Sequence, residues 1–239
     1  ATKWVSGSNG VQLTARYVAF HHAKDNIILC LADIFSEREM QGQMQRQLQQ
    51  ANMAQSYRLH DSVPTVTCPR RDVSAAIALL DPARENVIVV PSEDVEFVTT
   101  VLNKFSALTD KYRITVYGMN AWMDINTLDL TAMGKLDVHV PASSFIDHDD
   151  PAVNAFIRQY RDRYQNEPGE YAFLGHDVTL FYLSALMQFG EAFPQHLNEV
   201  LATPLHLAFH FAKAGPENGY RNESAVMLEY RDMGIHVAP

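Results

Sequence analysis

The stretch that decides the fold is NVIVVPSEDVEFVTTVLNKFSALTDKYRITVYG, residues 86–118. Its first run, NVIVVP at 86–91, is short and continuously apolar, as expected of a strand buried on both faces. RITVYG at 113–118 reads as a second strand, and we expect Ser92 to cap the helix between them. That helix carries its apolar residues on one side: Phe97, Val98, Val101, Leu102, Phe105 and Leu108. A strand, a helix and a strand in this order predict a right-handed crossover and a parallel sheet.

The same alternation extends along the chain on both sides of this stretch. Buried strands are predicted at 27–32 (IILCLA) and 136–141 (LDVHVP), with a weaker strand candidate at 56–61 (SYRLHD). Helical periodicity fills the connections, and a helix at 11–22 (VQLTARYVAFHH) precedes the first strand. Residues 10–145 therefore predict an α/β unit, a three-layer, doubly wound parallel sheet of five strands.

The rhythm changes after residue 145. DHDDP at 147–151 predicts a helix start, and the sequence becomes apolar on nearly all sides of a helix from about His176. Strand-like segments follow at 205–211 and 225–230. Residues 146–239 thus predict a second unit of helices plus short strands, a mainly helical C-terminal segment.

Composition restricts the class of protein. Of 239 residues, 47% are apolar and 20% charged, and the net charge is −9. The chain is long enough for one large domain or two small ones. It lacks the basic stripe of a nucleic-acid-binding protein, and no apolar run approaches the roughly 20 residues of a membrane span. We therefore expect no nucleic-acid partner and no membrane span.

Signals for targeting, disulfides, cofactors and catalysis are also missing. No secretory leader is recognisable at Ala1, which leaves a cytosolic protein or a removed targeting segment as the two expectations. Cys30 and Cys68 are too few for a disulfide framework or a zinc site, so we expect two unpaired thiols. The motifs GxGxxG, GxxxxGK[ST] and GxSxG are absent. The sequence predicts no cofactor, no metal and no catalytic residue.

Three clusters have both a chemical and a structural interpretation. In Gly175–Asp177 the His and Asp are adjacent and cannot orient each other across a pocket, so an Asp facing the positive end of a helix dipole is favoured. His206 and His210 lack the Glu of the HExxH zinc motif, which favours an exposed strand face. Asp147–Asp150 lack the spacing and glycine of a calcium loop, which favours helix capping.

A family resemblance is carried by FIRQYRDRYQNEPGEYAFLGHDVTLFYLSAL at 156–186. It resembles type I periplasmic binding proteins of the branched-chain amino acid class, which have an FxxxYxxxY helix, a turn with Pro, and YAxxGYDA opening a long apolar helix. His176 stands where the family has Tyr, and Val178 where it has Ala. The matching residues are Phe156, Tyr160, Tyr164, Pro168, Tyr171, Ala172, Gly175 and Asp177.

The resemblance implies the lobe of a hinged two-lobe receptor. Residues 10–145 are similar to the second lobe and residues 146–239 to the segment that returns to the other lobe, while most of the first lobe's opening units have no counterpart in this sequence. Ligands of parallel α/β sheets bind at the carboxyl ends of the strands. The strand-end positions that match are the ligand-binding candidates, with capping or packing as an equal alternative for each: Phe35, Ser92, Glu93 and Trp122.

The function that this resemblance implies is non-enzymatic. We expect a solute-binding or sensory domain of the periplasm or cell envelope, similar to the substrate-binding component of an amino-acid ABC transporter. Its partner would be a small polar solute, an amino acid or a cell-wall fragment, and because some relatives are joined to peptidoglycan-binding modules a wall-associated role stays open. The apolar helix at 176–190 supports an alternative, an interaction module that forms a homodimer. A small α/β enzyme using Asp33 or Glu93 is the third interpretation.

Overall fold

The computed structural model of the chain describes residues 7–213, 215 and 217–239. The chain divides into two compact units. The larger contains the described residues up to Ala142 together with Met227–Pro239, and the smaller contains the described residues of Ser143–Val226. None of the described helices combines the length and the apolar character that crossing a bilayer requires.

Helices and strands alternate through the first two thirds of the chain. The helices are α1 (Gly7–His21), α2 (Arg38–Met53), α3 (Ser74–Ile77), α4 (Val95–Ser106), α5 (Leu130–Lys135), α6 (Pro151–Tyr164) and α7 (Glu170–Phe189). The strands are β1 (Asn26–Ala32), β2 (Thr65–Cys68), β3 (Glu85–Val89), β4 (Arg113–Tyr117), β5 (His139–Ala142), β6 (Phe211–Lys213), β7 (Tyr220–Asn222), β8 (Val226–Arg231) and β9 (Gly234–Val237).

The larger unit is built on a seven-stranded sheet with the order β2-β1-β3-β4-β5-β8-β9. The pairings among β1 to β5 are parallel, and β8 and β9 form an antiparallel hairpin. Ile28, Ile88 and Val116 lie side by side across three central strands and are fully buried. Helices cover both sides of the sheet, which confirms the predicted doubly wound α/β fold class.

Helix α4 shows how the local sequence forms the helical layers. Its buried residues recur at helical spacing and face the sheet: Phe97, Val98, Val101, Leu102 and Phe105. The prediction that Ser92 caps this helix is wrong, because the capping residue is Asp94, whose Oδ1 accepts a hydrogen bond of 2.9 Å from the Phe97 amide. Ser92 is buried before the helix, and its hydroxyl accepts a hydrogen bond from the Asp94 amide.

The edge strand β2 does not lie where the sequence places it. The segment at 56–61 is not a strand, and the strand paired with β1 is Thr65–Cys68. An edge strand pairs on one side only, so β2 has exposed and buried residues instead of the continuous apolar run that marks β1 and β3. Its Cys68 lies 3.9 Å from the sulfur of Cys30 on β1, and both are buried free thiols, as predicted.

The smaller unit packs α6 and α7 together with a short antiparallel pair, β6 and β7. Asp150 caps α6 by accepting a hydrogen bond of 2.7 Å from the Ala152 amide, and Pro151 occupies the first turn, which confirms the predicted helix start. One apolar cluster contains Val153, Ile157 and Phe173. A second contains Phe181, Leu197 and Phe211.

A substitution at Gly118 tests the packing at the carboxyl end of β4. A Cβ at this position would lie 2.4 Å from a ring carbon of the buried Trp122, whereas a Cβ at Gly134 in α5 meets no atom of the described chain within 4 Å. We expect Gly118→Ala to lower the free energy of unfolding by about 1–3 kcal/mol through overpacking. Gly134→Ala should raise it by up to about 1 kcal/mol. Urea denaturation of both variants checks this, and equal midpoints would contradict the packing of Trp122 on Gly118.

Candidate functional site

The sheet order places a crevice between β1 and β3. The chain continues from β1 outward to β2 and from β3 in the opposite direction to β4, so the strand order reverses between these two neighbours. In open parallel sheets ligands bind at such a switch point, outside the carboxyl ends of the strands. The segments that follow the two strands here are Asp33–Phe35 and Val90–Glu93.

A buried carboxylate, Glu37, already occupies the amide donors of this crevice. Its Oε1 accepts hydrogen bonds from the Glu93 amide at 2.8 Å and the Asp94 amide at 3.1 Å. Gln41 donates to the Ala32 carbonyl at 2.9 Å and to Glu37 Oε2 at 3.4 Å. Amides just before a helix ordinarily favour an anion. Here the protein's own side chain takes that place.

The four ligand-binding candidates separate into a buried and an exposed pair. Trp122 Nε1 donates a hydrogen bond of 2.7 Å to the Ser92 carbonyl, and both residues are buried. Glu93 is exposed, and Phe35 is 81% exposed with the Arg38 guanidinium 5.1 Å from its ring centroid. Ser92 and Trp122 therefore support the crevice from behind, and only Phe35 and Glu93 are accessible to a ligand. The binding role of all four stays a prediction.

The exposed carboxylates of the crevice have unused hydrogen-bonding capacity. Asp33 and Glu93 are both exposed, and within the described residues neither carboxylate accepts a hydrogen bond. The Glu93 and Asp94 amides are bonded to Glu37, so the accessible groups are the carboxylates of Asp33 and Glu93, the Phe35 ring and the Arg38 guanidinium beside that ring. Two carboxylates without hydrogen bonds, against one guanidinium, favour a cationic or ammonium-bearing group over an anion.

In the smaller unit, Asp177 contradicts its predicted role. Helix α7 begins at Glu170 after Gly169, so Asp177 lies two turns inside the helix and does not face the N-terminal end of its dipole. The expectation of a helix starting near His176 is therefore wrong. The carboxylate of Asp177 is fully buried and faces the segment around residue 206.

That carboxylate binds the backbone of a distant loop. It accepts hydrogen bonds from the amides of Leu205, His206 and Leu207 at 2.8, 2.9 and 3.0 Å. His206 Nδ1 lies 2.7 Å and His176 Nδ1 2.9 Å from its oxygens. Burial raises the pKa of Asp177, but these hydrogen bonds outweigh it and hold the pKa below its ordinary value.

The two histidines of the predicted strand face have different surroundings. His206 is buried against Asp177, so the prediction of an exposed strand face is wrong for this residue. Of the predicted strand segment 205–211, only Phe211 belongs to a strand, β6, and Leu207 forms an isolated bridge with Ser144. His210 is exposed. No local motif could have identified the contact, because residues 177 and 206 are separated by most of α7 and the following loop.

A cavity of about 400 Å³ lies beside this network in the smaller unit. Apolar and aromatic side chains of α7 form one wall: Tyr171, Leu174, Val178 and Tyr182. The opposite wall includes Leu207 and Phe209, with polar groups from Asn222 and Ser224. Its size and apolar lining resemble those of small-molecule sites.

Solved structures identify the fold. No protein-family model matches the chain, and no curated protein matches its sequence. One similar structure is a branched-chain amino acid ABC transporter periplasmic ligand-binding protein from Burkholderia xenovorans LB400. The match covers 97% of this chain and 62% of that protein's chain, with a TM-score of 0.59 at 16% sequence identity. This chain has the fold of the type I periplasmic binding proteins.

Two further structures extend the comparison with this fold. An ABC transporter substrate-binding protein from Desulfitobacterium hafniense, in complex with Leu, matches 98% of this chain and 65% of its own, with a TM-score of 0.56 at 12% identity. The C-domain of LpoA from Haemophilus influenzae, a regulator of PBP1A, is also similar. The match covers 98% of this chain and 68% of that domain's chain, with a TM-score of 0.53 at 10% sequence identity. The chain thus spans less than two thirds of the length of the two transporter proteins. The predicted resemblance to type I periplasmic binding proteins is confirmed for the fold.

The hydrogen bonds of Asp177 predict that a nearly isosteric substitution at this position strongly lowers the stability of the protein. Asp177→Asn removes the charge that three backbone amides share, and we expect it to lower the free energy of unfolding by about 3 kcal/mol at pH 7. Because the folded-state pKa of Asp177 is depressed, this stabilisation is complete above the unfolded-state value and is lost as the pH falls below about 4. Chemical denaturation at pH 7 and pH 3 should therefore show the difference from wild type becoming smaller at the lower pH.

Glu199→Gln is the matched control for this variant. Glu199 pairs with His196 at the surface of the same unit, and exposed pairs contribute at most about 1 kcal/mol. A cost for Asp177→Asn as small as that of the control would contradict the assigned role of Asp177.

Proposed function

We propose that the chain is a non-enzymatic solute-binding or sensory domain of the bacterial cell envelope, with its ligand at the crevice between β1 and β3. The observation that carries the proposal is the combination of an exposed aromatic ring, Phe35, and an exposed carboxylate, Glu93, at the switch point of a parallel sheet. Glu37 connects the two segments by accepting hydrogen bonds from the Glu93 and Asp94 amides.

The chemistry of the crevice restricts the ligand class. Its Glu93 and Asp94 amides are bonded to Glu37, so these two donors are not available to a carboxylate or phosphate of the ligand. The carboxylates of Asp33 and Glu93 attract an ammonium group, and the Phe35 ring, with the Arg38 guanidinium beside it, can contact an alkyl chain. The ligand is therefore a small molecule with a free ammonium group, an amino acid or an amine-bearing cell-wall fragment.

The structural neighbours support this class of function. The Burkholderia protein is a ligand-binding component of a branched-chain amino acid transporter, and the Desulfitobacterium protein binds Leu. LpoA, which has the same fold, regulates PBP1A, so the fold also serves in regulation. An amino-acid ligand is consistent with the transporter proteins and a wall-associated sensory role with LpoA.

Ligand-dependent thermal unfolding tests the proposal. At 100 times its dissociation constant a ligand stabilises the folded state by about 2.7 kcal/mol, a rise in Tm of about 5–10 °C for a chain of this size. We expect this shift with at least one amino acid, amino sugar or wall peptide, and we expect Glu93→Gln and Phe35→Ala each to weaken binding about tenfold or more.

Two matched variants control for general surface effects. Asp110→Asn removes an exposed carboxylate near the amino-terminal end of β4, away from the carboxyl ends that form the crevice, and Phe20→Ala removes an exposed aromatic ring from α1. Both should bind like wild type. No shift with any ammonium compound, or equal losses in site and control variants, would refute the crevice as the binding site.

A second candidate function, homodimerisation, is supported by the surface of α7. Its exposed apolar residues lie along the whole helix: Tyr171, Leu174, Val178, Tyr182, Leu183, Leu186 and Met187. Between residues 171 and 187 the only carboxylate or basic side chains are His176 and the buried Asp177. Two copies of this face can therefore meet without repulsion between exposed carboxylates, despite the net charge of −9. A helix of 20 residues is about 30 Å long, enough for an extended contact about a two-fold axis.

Light scattering after size exclusion tests this second candidate. A dimer should have twice the chain mass of 26.9 kDa, and Leu183→Glu should shift it to the monomer. Leu130→Glu changes an exposed leucine of α5, in the larger unit, and should leave the dimer intact. A monomer for the wild-type protein at high concentration would exclude this function.

A further inference from the structure

Three side chains with metal-ligating atoms converge in the larger unit. Asp137 and His139 flank the start of β5, and Glu229 lies on β8, the next strand of the sheet. One ligand atom from each lies within 4.8 Å of the other two. The Tyr230 amide donates a hydrogen bond of 2.9 Å to the Val138 carbonyl, which holds the two strand segments together at this point.

The imidazole of His139 is oriented with one nitrogen hydrogen-bonded and the other facing a carboxylate oxygen without a hydrogen bond. Its Nδ1 lies 2.7 Å from the Asp137 carbonyl, and because a carbonyl only accepts, Nδ1 is the donor. Its Nε2 faces Glu229 Oε2 at 3.7 Å, which is too long for a hydrogen bond. Within the part of the chain that the structure describes, Nε2 makes no hydrogen bond, although His139 is only 5% exposed.

The two carboxylates also retain free acceptor atoms. Glu229 is 6% exposed, and its Oε1 is paired with Arg231 Nη1 at 2.8 Å, which leaves Oε2 directed at His139. Asp137 is half-buried on a left-handed backbone, with φ of 43°, and its carboxylate accepts no hydrogen bond from a described residue. One guanidinium therefore opposes two carboxylates at this point.

A tyrosine ring packs against the imidazole of His139. Tyr117 is buried and stacks on the His139 ring, with centroids 4.8 Å apart. With two carboxylates opposed by one guanidinium, the charge at this cluster favours a cation.

We propose that Asp137, His139 and Glu229 bind one divalent first-row metal ion, with Zn²⁺ as the reference ion. Zinc–ligand bonds of about 2.0–2.1 Å place tetrahedral ligands about 3.3–3.4 Å apart, close to the 3.7 Å between His139 Nε2 and Glu229 Oε2. A rotation of the Asp137 side chain closes the remaining gap, and water completes the coordination. An imidazole whose other nitrogen donates to a backbone carbonyl is the usual support for a metal-bound histidine.

The donor set excludes other ions and gives the site a structural consequence. Ca²⁺ and Mg²⁺ prefer oxygen-only sites, whereas one imidazole with carboxylates suits Zn²⁺ and its neighbours in the first transition row. The bound ion would connect β8 to β5 and so attach the C-terminal hairpin to the parallel part of the sheet. The site is separate from the crevice between β1 and β3, so it is independent of the proposed solute-binding function.

Metal binding to the chelator-treated full chain tests this proposal. We expect one Zn²⁺ per chain in competition with a chromogenic chelator, and a rise in Tm of about 5 °C or more at 100 times the dissociation constant. Co²⁺ in the same site should give the visible absorption of a four-coordinate ion. Asp137→Asn should weaken binding about tenfold or more without unfolding the protein, because the carboxylate accepts no hydrogen bond from a described residue. His139→Gln should abolish the Co²⁺ spectrum.

His60→Gln controls for general binding of zinc to histidines. His60 is exposed in the same unit, outside the cluster, and this variant should bind like wild type. Absence of stoichiometric Zn²⁺ binding by wild type would overturn the proposal. So would equal affinities of the wild type, Asp137→Asn and His60→Gln proteins, which would indicate adventitious binding elsewhere on the surface.

Discussion

The structure depends on the burial of both faces of the central parallel strands. Ile28, Ile88 and Val116 adjoin one another on β1, β3 and β4 with no exposure, and helices cover both sides of the sheet. A sheet enclosed in this way has no accessible face, so solvent reaches its strands only at their ends. The reversal of strand order between β1 and β3 then determines which strand ends form a crevice. The candidate site follows from that constraint and not from a local motif.

The crevice acquires its chemical character from Glu37. Because its carboxylate accepts from the Glu93 and Asp94 amides, donors that bind phosphates or carboxylates in many α/β proteins are satisfied internally. The accessible groups that remain are Phe35 with the neighbouring Arg38, and the carboxylates of Asp33 and Glu93. Trp122 and Ser92 contribute indirectly, since the indole N–H fixes the backbone that presents Glu93. The preference for an ammonium-bearing ligand is thus a consequence of the packing behind the surface.

Sequence patterns predicted those parts of the fold that depend on local order. The apolar runs of β1, β3 and β4 are continuous because these strands are enclosed, and the amphipathic α4 has the spacing of a helix covering a sheet. The edge strand β2 lacked that signal because it is half solvated. The resemblance at 156–186 gave the fold correctly, but the role of Asp177 depends on amides about thirty residues away, which no pattern reveals. Likewise, Glu229 reaches His139 only because β8 is the neighbour of β5.

Carboxylates in this protein differ in whether they accept hydrogen bonds from the folded chain. That difference separates carboxylates with a structural role from those available to a ligand. Asp177 and Glu37 each accept several backbone hydrogen bonds from a segment remote in sequence, so their charge is used to order loops and is inaccessible to a ligand. Asp33, Glu93 and Asp137 accept none from the described residues, and Glu229 keeps one oxygen directed at an imidazole nitrogen of His139 that is too far away for a hydrogen bond. A carboxylate held near other groups without hydrogen bonds remains favourable to a cation. The ammonium site at the crevice and the metal site between β5 and β8 therefore rest on the same physical argument, applied to two separate places in one unit.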